Sequence, residues 1–170
     1  MKPPSGHRKR RRFINDPAHV HEFTFSCYHR LPLLAKDRTR AWFLDSLRAL
    51  RQRKSVSVLA YVIMPEHAHV LLVPSPDPLA MEMVSKFLKQ SVARRALHWL
   101  RVHDPVWLKK HLQGENAGGR FRYHFWQPGG GYDRNLDRFK TIEAAVDYIH
   151  NNPVRRKLAP SPVDSRIVGA

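Results

Sequence analysis

Acidic residues are scarce in this 170-residue chain: 14 Asp and Glu face 30 Lys and Arg, a formal net charge of +16. Solubility does not require such an imbalance, and polyanions are the partners it suits. The same surface argues against a hydrolase of small molecules. Cysteine is nearly absent. Cys27 alone excludes an intramolecular disulfide and a cysteine-rich zinc site, and it fits a reducing compartment. Long apolar runs are missing too: none approaches the roughly 20 residues of a membrane span. The basic N-terminus has no hydrophobic segment behind it, so it does not read as a secretory signal. These absences point to a cytosolic protein.

What is present suits one globular domain, with 42% apolar residues and room for a single core. Residues 1–17 hold Lys2 and the run Arg8, Lys9, Arg10, Arg11 and Arg12, show no helical or strand period, and read as a basic flexible arm. These six residues account for six of the sixteen excess charges, so the folded part is itself basic. The domain is expected over 18–158, followed by a short tail over 159–170.

The segment His19–Tyr28 alternates as a first strand, with Phe23, Phe25 and Cys27 on one face and Glu22, Thr24 and Ser26 on the other. Arg38–Lys54 has the stripe of a helix in Trp42, Phe43, Leu47 and Leu50. Two apolar runs between Val56 and Val73 form a hairpin jointed at Pro65-Glu66, and the cluster PSPDP must end its second strand. Leu79–Arg101 is the longest helical pattern, with Lys86, Lys89, Gln90 and Arg94 on the side opposite its apolar stripe. The mixed, glycine-containing stretch His103–Gly119 reads as a loop and FRYHFW (Phe121–Trp126) as a fourth strand. Gly129-Gly130-Gly131 either turns sharply or admits a close neighbour. Thr141–Asn152 is a last helix, stopped by Pro153. The order is the split β-α-β arrangement of the α+β, ferredoxin-like (RRM-like) fold: an antiparallel sheet with helices on one face, plus an additional C-terminal helix.

In that order the third strand is central, and it begins with His67 and His69. Side chains alternate along a strand, so the two imidazoles project from the same side, half of a divalent-metal site on a rigid mount. Such a pair also occurs by chance in a chain with 11 His. On the last helix Tyr148 lies about 100° from the middle of the apolar stripe, and Asn152 lies one turn later on the same flank.

The segment MPEHAHVLL resembles the HUH signature (histidine, hydrophobic, histidine) of single-tyrosine transposases. FWQPGGGYDRNL followed by YIHNNPVRRKL is similar to the downstream block of one branch, the REP-associated tyrosine transposases. The likeness covers about His19 to Leu158. It implies that His67 and His69 are metal ligands, that Tyr148 is the nucleophile, and that Asn152 completes the metal site where insertion-sequence relatives have glutamine. Glu66 is expected to point away from the histidine face. The tail PSPVDSRIVGA lacks the Trp-Ser-Ser segment with which such chains usually continue, as in a truncated or decayed copy.

The implied activity is cleavage and rejoining of single-stranded DNA, hairpin or palindromic, through a 5′-phosphotyrosine with Mg²⁺ or Mn²⁺ as cofactor. Lys86, Lys89, Arg94, Arg120, Arg122, Arg155, Arg156 and Lys157 would hold phosphates, while Trp126 and Tyr132 would stack on unpaired bases. The resemblance implies a prokaryotic, cytoplasmic and nucleoid-associated protein, monomer or homodimer, with no membrane partner. The alternative is a non-catalytic or domesticated nucleic-acid-binding protein of the same fold.

Overall fold

The computed structural model describes residues 18–53, 55–75, 80–115, 119–129, 131–162 and 168–169. The expected basic arm lies outside the described residues, as do most of the PSPDP turn and most of the tail after residue 162.

Alternation in the sequence becomes two unlike faces of one sheet. Strand β1 (Val20–Ser26) lies between β6 (Tyr132–Leu136) and β3 (His67–Pro74), and β3 continues to β2 (Val56–Ile63) and the two-residue β7 (Val168–Gly169). The order β6-β1-β3-β2-β7 is antiparallel throughout, with β1 and β3 interior, as the split β-α-β order requires. On one face, Phe23, Phe25, Cys27, Ala68, Val70 and Leu72 meet helices α1 (Asp37–Gln52) and α2 (Met81–His103). Phe43 and Leu47 of α1 and Val84, Leu88 and Val92 of α2 complete that cluster. A bulge between Val58 and Ala60 shifts the register of β2 against β3, so Val58 and Tyr61 both pack against this cluster while Ala60 and Val62 do not.

The other face is covered by α4 (Phe139–Arg155). Its Ala145 and Ile149 enter a smaller cluster with Val20, Ala60, Val62, Met64, Leu71 and Leu136. The tyrosine-bearing helix therefore lies across the sheet from α1 and α2. Among the described residues no helix is long and apolar enough to cross a membrane.

Three expectations are corrected. First, Phe121–Trp126 is not the fourth strand of the sheet: β5 (Phe121–Tyr123) pairs with β4 (Gln113–Glu115) in a separate ribbon, and YDRNL of β6 takes the edge beside β1. Its pattern is polar because an edge strand packs less of its surface, whereas Phe125 and Trp126 leave the ribbon to fill the main core. Second, the presumed loop His103–Gly119 contains α3 (Pro105–Leu112), capped by the Asp104 carboxylate accepting from the Trp107 amide at 3.0 Å, with Pro105 in the first turn. Third, α4 runs past Pro153 to Arg155. The proline falls in the last turns, where the helix has little left to lose.

Gly131 resolves the glycine question in favour of close approach. Its φ of +75° suits glycine, and a Cβ there would stand 2.5 Å from the Thr24 carbonyl oxygen. The entry to β6 thus lies directly against β1, beside the residue that supports His69.

Candidate active site

Register alone puts the histidines where α4 passes. His67 and His69 share a face with Leu71, and their neighbours across β1 are Ser26 and Thr24. Their rings stand 4.9 Å apart at 88°, and both residues are buried, at 7% and 8% exposure. Tyr148 sits on the flank of α4, beside the ridge that Ala145 and Ile149 bury. Its ring centroid lies 5.7 Å from that of His69, edge to face at 88°. It keeps 42% exposure, so one side of the phenol faces solvent. One chain therefore brings its own tyrosine to its own histidine pair. Asn152, one turn further along α4, is 5% exposed.

Each imidazole is held from behind by its Nδ1. Nδ1 of His67 lies 3.2 Å from the Glu66 carboxylate, which also accepts a hydrogen bond from the Arg156 guanidinium at 2.9 Å. Nδ1 of His69 lies 2.8 Å from the Thr24 hydroxyl and 4.0 Å from the Glu22 carboxylate, which Arg134 clamps at 2.7 and 2.9 Å. Histidine, carboxylate and arginine thus recur twice, with arginines from β6 and from the end of α4. Glu66, expected to point away, instead supports His67, because it belongs to the turn before β3 and strand alternation does not govern it.

The electrostatics follow from this packing. Burial, and then the neighbouring charge of His67, push His69 down to about 4; burial also lowers His67. For Glu66, burial pushes upward, but its own backbone N–H, His67 and Arg156 outweigh it and hold the carboxyl below its ordinary range. At neutral pH the rings are uncharged bases backed by an ionised carboxylate.

This donor set fits a divalent cation. Metal-binding histidines usually present one nitrogen to the metal and bond the other to a carboxylate or similar oxygen. Here both Nδ1 atoms are engaged, so Nε2 of each ring is the nitrogen that could serve a metal. Among the described residues no three His, Cys, Asp or Glu side chains are grouped to hold a metal, so further ligands would be of another type, such as the Asn152 amide.

The remaining sequence candidates are dispersed. Arg155 stacks over Tyr148 at 5.3 Å, Arg156 reaches Glu66, and Lys157 follows, exposed, with φ +55°. Lys86, Lys89 and Arg94 belong to α2 in the opposite layer, where Lys89 donates to the Gly129 carbonyl at 2.7 Å and Arg94 to Gln90 at 3.2 Å. Arg120 and Arg122 are exposed at the β4–β5 ribbon, and Tyr132 is 54% exposed. Trp126 departs from expectation. At 6% exposure it packs on Phe25, Phe43 and Phe125, and its indole N–H donates to the Lys89 carbonyl at 2.8 Å, so no face is left for a base. Glu22, Thr24, Glu66 and Arg134 were not singled out from sequence as site residues. The alternation of β1 did place Glu22 and Thr24 together on the face away from Phe23 and Phe25.

No family model and no curated protein matches the chain. Solved structures similar to it include the following two. One is a REP-associated tyrosine transposase bound to a REP hairpin: 18% identity, TM-score 0.61, covering 95% of this chain and 81% of that one. The other, from Deinococcus radiodurans and provisionally described as a transposase, has 19% identity and a TM-score of 0.47, covering 89% of this chain and 97% of that one. The mixed sheet-and-helix architecture described above, with a helix on each side of β1 and β3, is thus the fold of a REP-associated tyrosine transposase.

Proposed function

We propose that this protein is a transposase of the REP-associated tyrosine type, cleaving and rejoining single-stranded DNA with Tyr148 as nucleophile. The observation that carries the reading is the meeting, within one chain, of the Tyr148 ring with that of His69 at 5.7 Å, His69 itself standing 4.9 Å from His67. The motif resemblance and the shared fold support it, as does the basic charge.

His67 and His69 would hold Mg²⁺ or Mn²⁺ through Nε2, with Asn152 as a third ligand. When bound, the ion supplies charge neutralisation and polarisation at the scissile phosphate. Glu66 and Thr24 orient the imidazoles, and Arg156 and Arg134 keep their carboxylate partners in place. Tyr148 Oη attacks phosphorus in line, and the bond to the upstream 3′-oxygen breaks. The phenol gives up its proton and the departing 3′-oxygen takes one. The products are a 5′-phosphotyrosine and a free 3′-hydroxyl, and the reverse reaction rejoins a strand without ATP. Arg155, beside the phenol, and Arg156 and Lys157 after it would meet the phosphates of the entering strand. The substrate we assign is a hairpin-forming single strand of DNA; the similar solved transposase is bound to a REP hairpin.

Purified protein incubated with labelled hairpin DNA and Mn²⁺ should yield a denaturant-resistant adduct that disappears with a chelator and in Tyr148→Phe. Hairpin binding without any adduct would instead favour a non-catalytic binding module.

A further inference from the structure

Across the sheet from the histidines, a cleft of about 360 Å³ opens between the Pro32–Leu33 loop, the start of α1, the C-terminal part of α2 and the start of α3. Three of the chain's four tryptophans line it: Trp42, Trp99 and Trp107. Its polar groups are few and definite. Lys36 and Arg38 are exposed and contribute cations to the lining, and the Arg38 guanidinium lies 3.8 Å from the centroid of the Trp99 ring. Asp104 contributes a carboxylate, fixed by its bond from the Trp107 amide.

This chemistry suits one kind of occupant. Trp99 is already covered by the Arg38 guanidinium and by the His103 ring stacked on it at 4.3 Å, and Trp107 carries His111 at 4.8 Å. The indole surface left for a flat ligand is therefore that of Trp42 and the remaining face of Trp107. Base stacking on such a wall is a general means of holding unpaired nucleotides. Lys36 and Arg38 match the phosphates that flank a base. An apolar peptide side chain would use the walls but leave that charge complementarity unused. Asp104 accepts hydrogen bonds only, which favours a base with an exocyclic amine such as cytosine over thymine. The cleft also has a physical link to the histidine strand: the Leu34 amide donates to the Pro65 carbonyl at 2.9 Å, so the loop that lines the cleft is pinned to the turn just before His67.

We infer that this cleft binds one unpaired, amine-bearing nucleobase of the single strand that the histidine–tyrosine site processes. The inference rests on the proposed function for its choice of polymer, and its test is separable from that reading. Tryptophan fluorescence of the Tyr148→Phe protein should be quenched on titration with oligo-dC and less by oligo-dT. An oligonucleotide of abasic sites should leave it unchanged. Trp107→Ala should weaken oligo-dC binding by roughly tenfold, the usual cost of a lost base stack. Lys36→Glu, an exposed change that spares the fold, should weaken it several-fold. Asp104→Asn, which retains an oxygen to cap α3, should reduce the preference for dC over dT.

Equal binding of dC, dT and abasic strands, or full affinity in both Trp107→Ala and Lys36→Glu, would overturn the inference. So would quenching by an apolar peptide and not by DNA. If the quenching is absent while the wild-type adduct forms, the cleft inference falls and the transposase reading stands. If quenching follows the predicted pattern and no adduct forms, the reverse holds.

Discussion

The two faces of the sheet are built to different rules. Towards α1 and α2, Phe23, Phe25, Phe43, Val70 and Leu88 interlock with almost no exposure. Towards α4 the apolar cluster is smaller, and beside it lie buried His67, His69, Glu22 and Asn152 with partly buried Thr24. Burying such groups costs free energy unless they find partners: Glu66, held by Arg156, serves His67, the Thr24 hydroxyl serves His69, and Arg134 serves Glu22. One face stabilises the molecule, and the other uses that rigidity to hold an uncharged imidazole pair against a tyrosine helix.

This contrast can be broken most forcefully from the apolar side. Phe25→Ala removes a ring that is 1% exposed and packs on Phe23, Phe43 and Trp126, and should cost about 3–5 kcal/mol in denaturant unfolding. Tyr148→Phe, on the other face, should leave the unfolding midpoint nearly unchanged. A large loss from the tyrosine change would erase the distinction.

Acid sharpens it next. In the folded chain His69 titrates near 4, below its ordinary 6.5, so the unfolded chain binds the proton first as pH falls. Stability from this group is complete above about 6.5 and declines as pH drops towards 4, by about 3 kcal/mol for the metal-free protein. On the apolar face, burial pushes the Cys27 thiol up to about 12, so it stays neutral through that range. His69→Gln should flatten the acid limb of unfolding curves measured between pH 7 and 4. An unchanged limb would mean that the imidazole titrates normally.

A smaller effect is expected behind the histidines. Arg156→Gln frees Glu66 from its partner and should weaken Mn²⁺ binding roughly tenfold by calorimetry, with little change in unfolding, as expected for a group that orients a ligand. Smallest of all is the outer surface of α2. If Arg94 contacts phosphate, Arg94→Gln should lower the salt dependence of DNA affinity by about one unit of slope. A flat response would remove α2 from the DNA path.

Much of this division was legible in the sequence, for a physical reason. Alternation is obligatory within a strand, so Phe23 and Phe25 opposite Glu22 and Thr24, and His67 aligned with His69, followed from spacing alone. The stripe of α4 likewise put Tyr148 on a flank next to the buried ridge. Failures came where no period operates. Glu66 lies in a turn, so its direction is set by Arg156, which is distant in sequence. The polar β6 was hidden because its Arg134 answers Glu22 of β1 instead of an apolar core. α3 was hidden by its mixed polarity, although Asp104-Pro105 is a legible helix start. Trp126 looked available for stacking because a strand pattern cannot tell a ring that closes a core from one that lines a surface.

The central claim is that one chain supplies both the imidazole pair and the attacking phenol. Mixing His67→Ala protein with Tyr148→Phe protein on labelled hairpin DNA and Mn²⁺, then resolving the products on a denaturing gel, tests it most directly. Wild type should give a covalent adduct, and each variant and their mixture should give none. An adduct retained by Tyr148→Phe, or restored in the mixture, would contradict it.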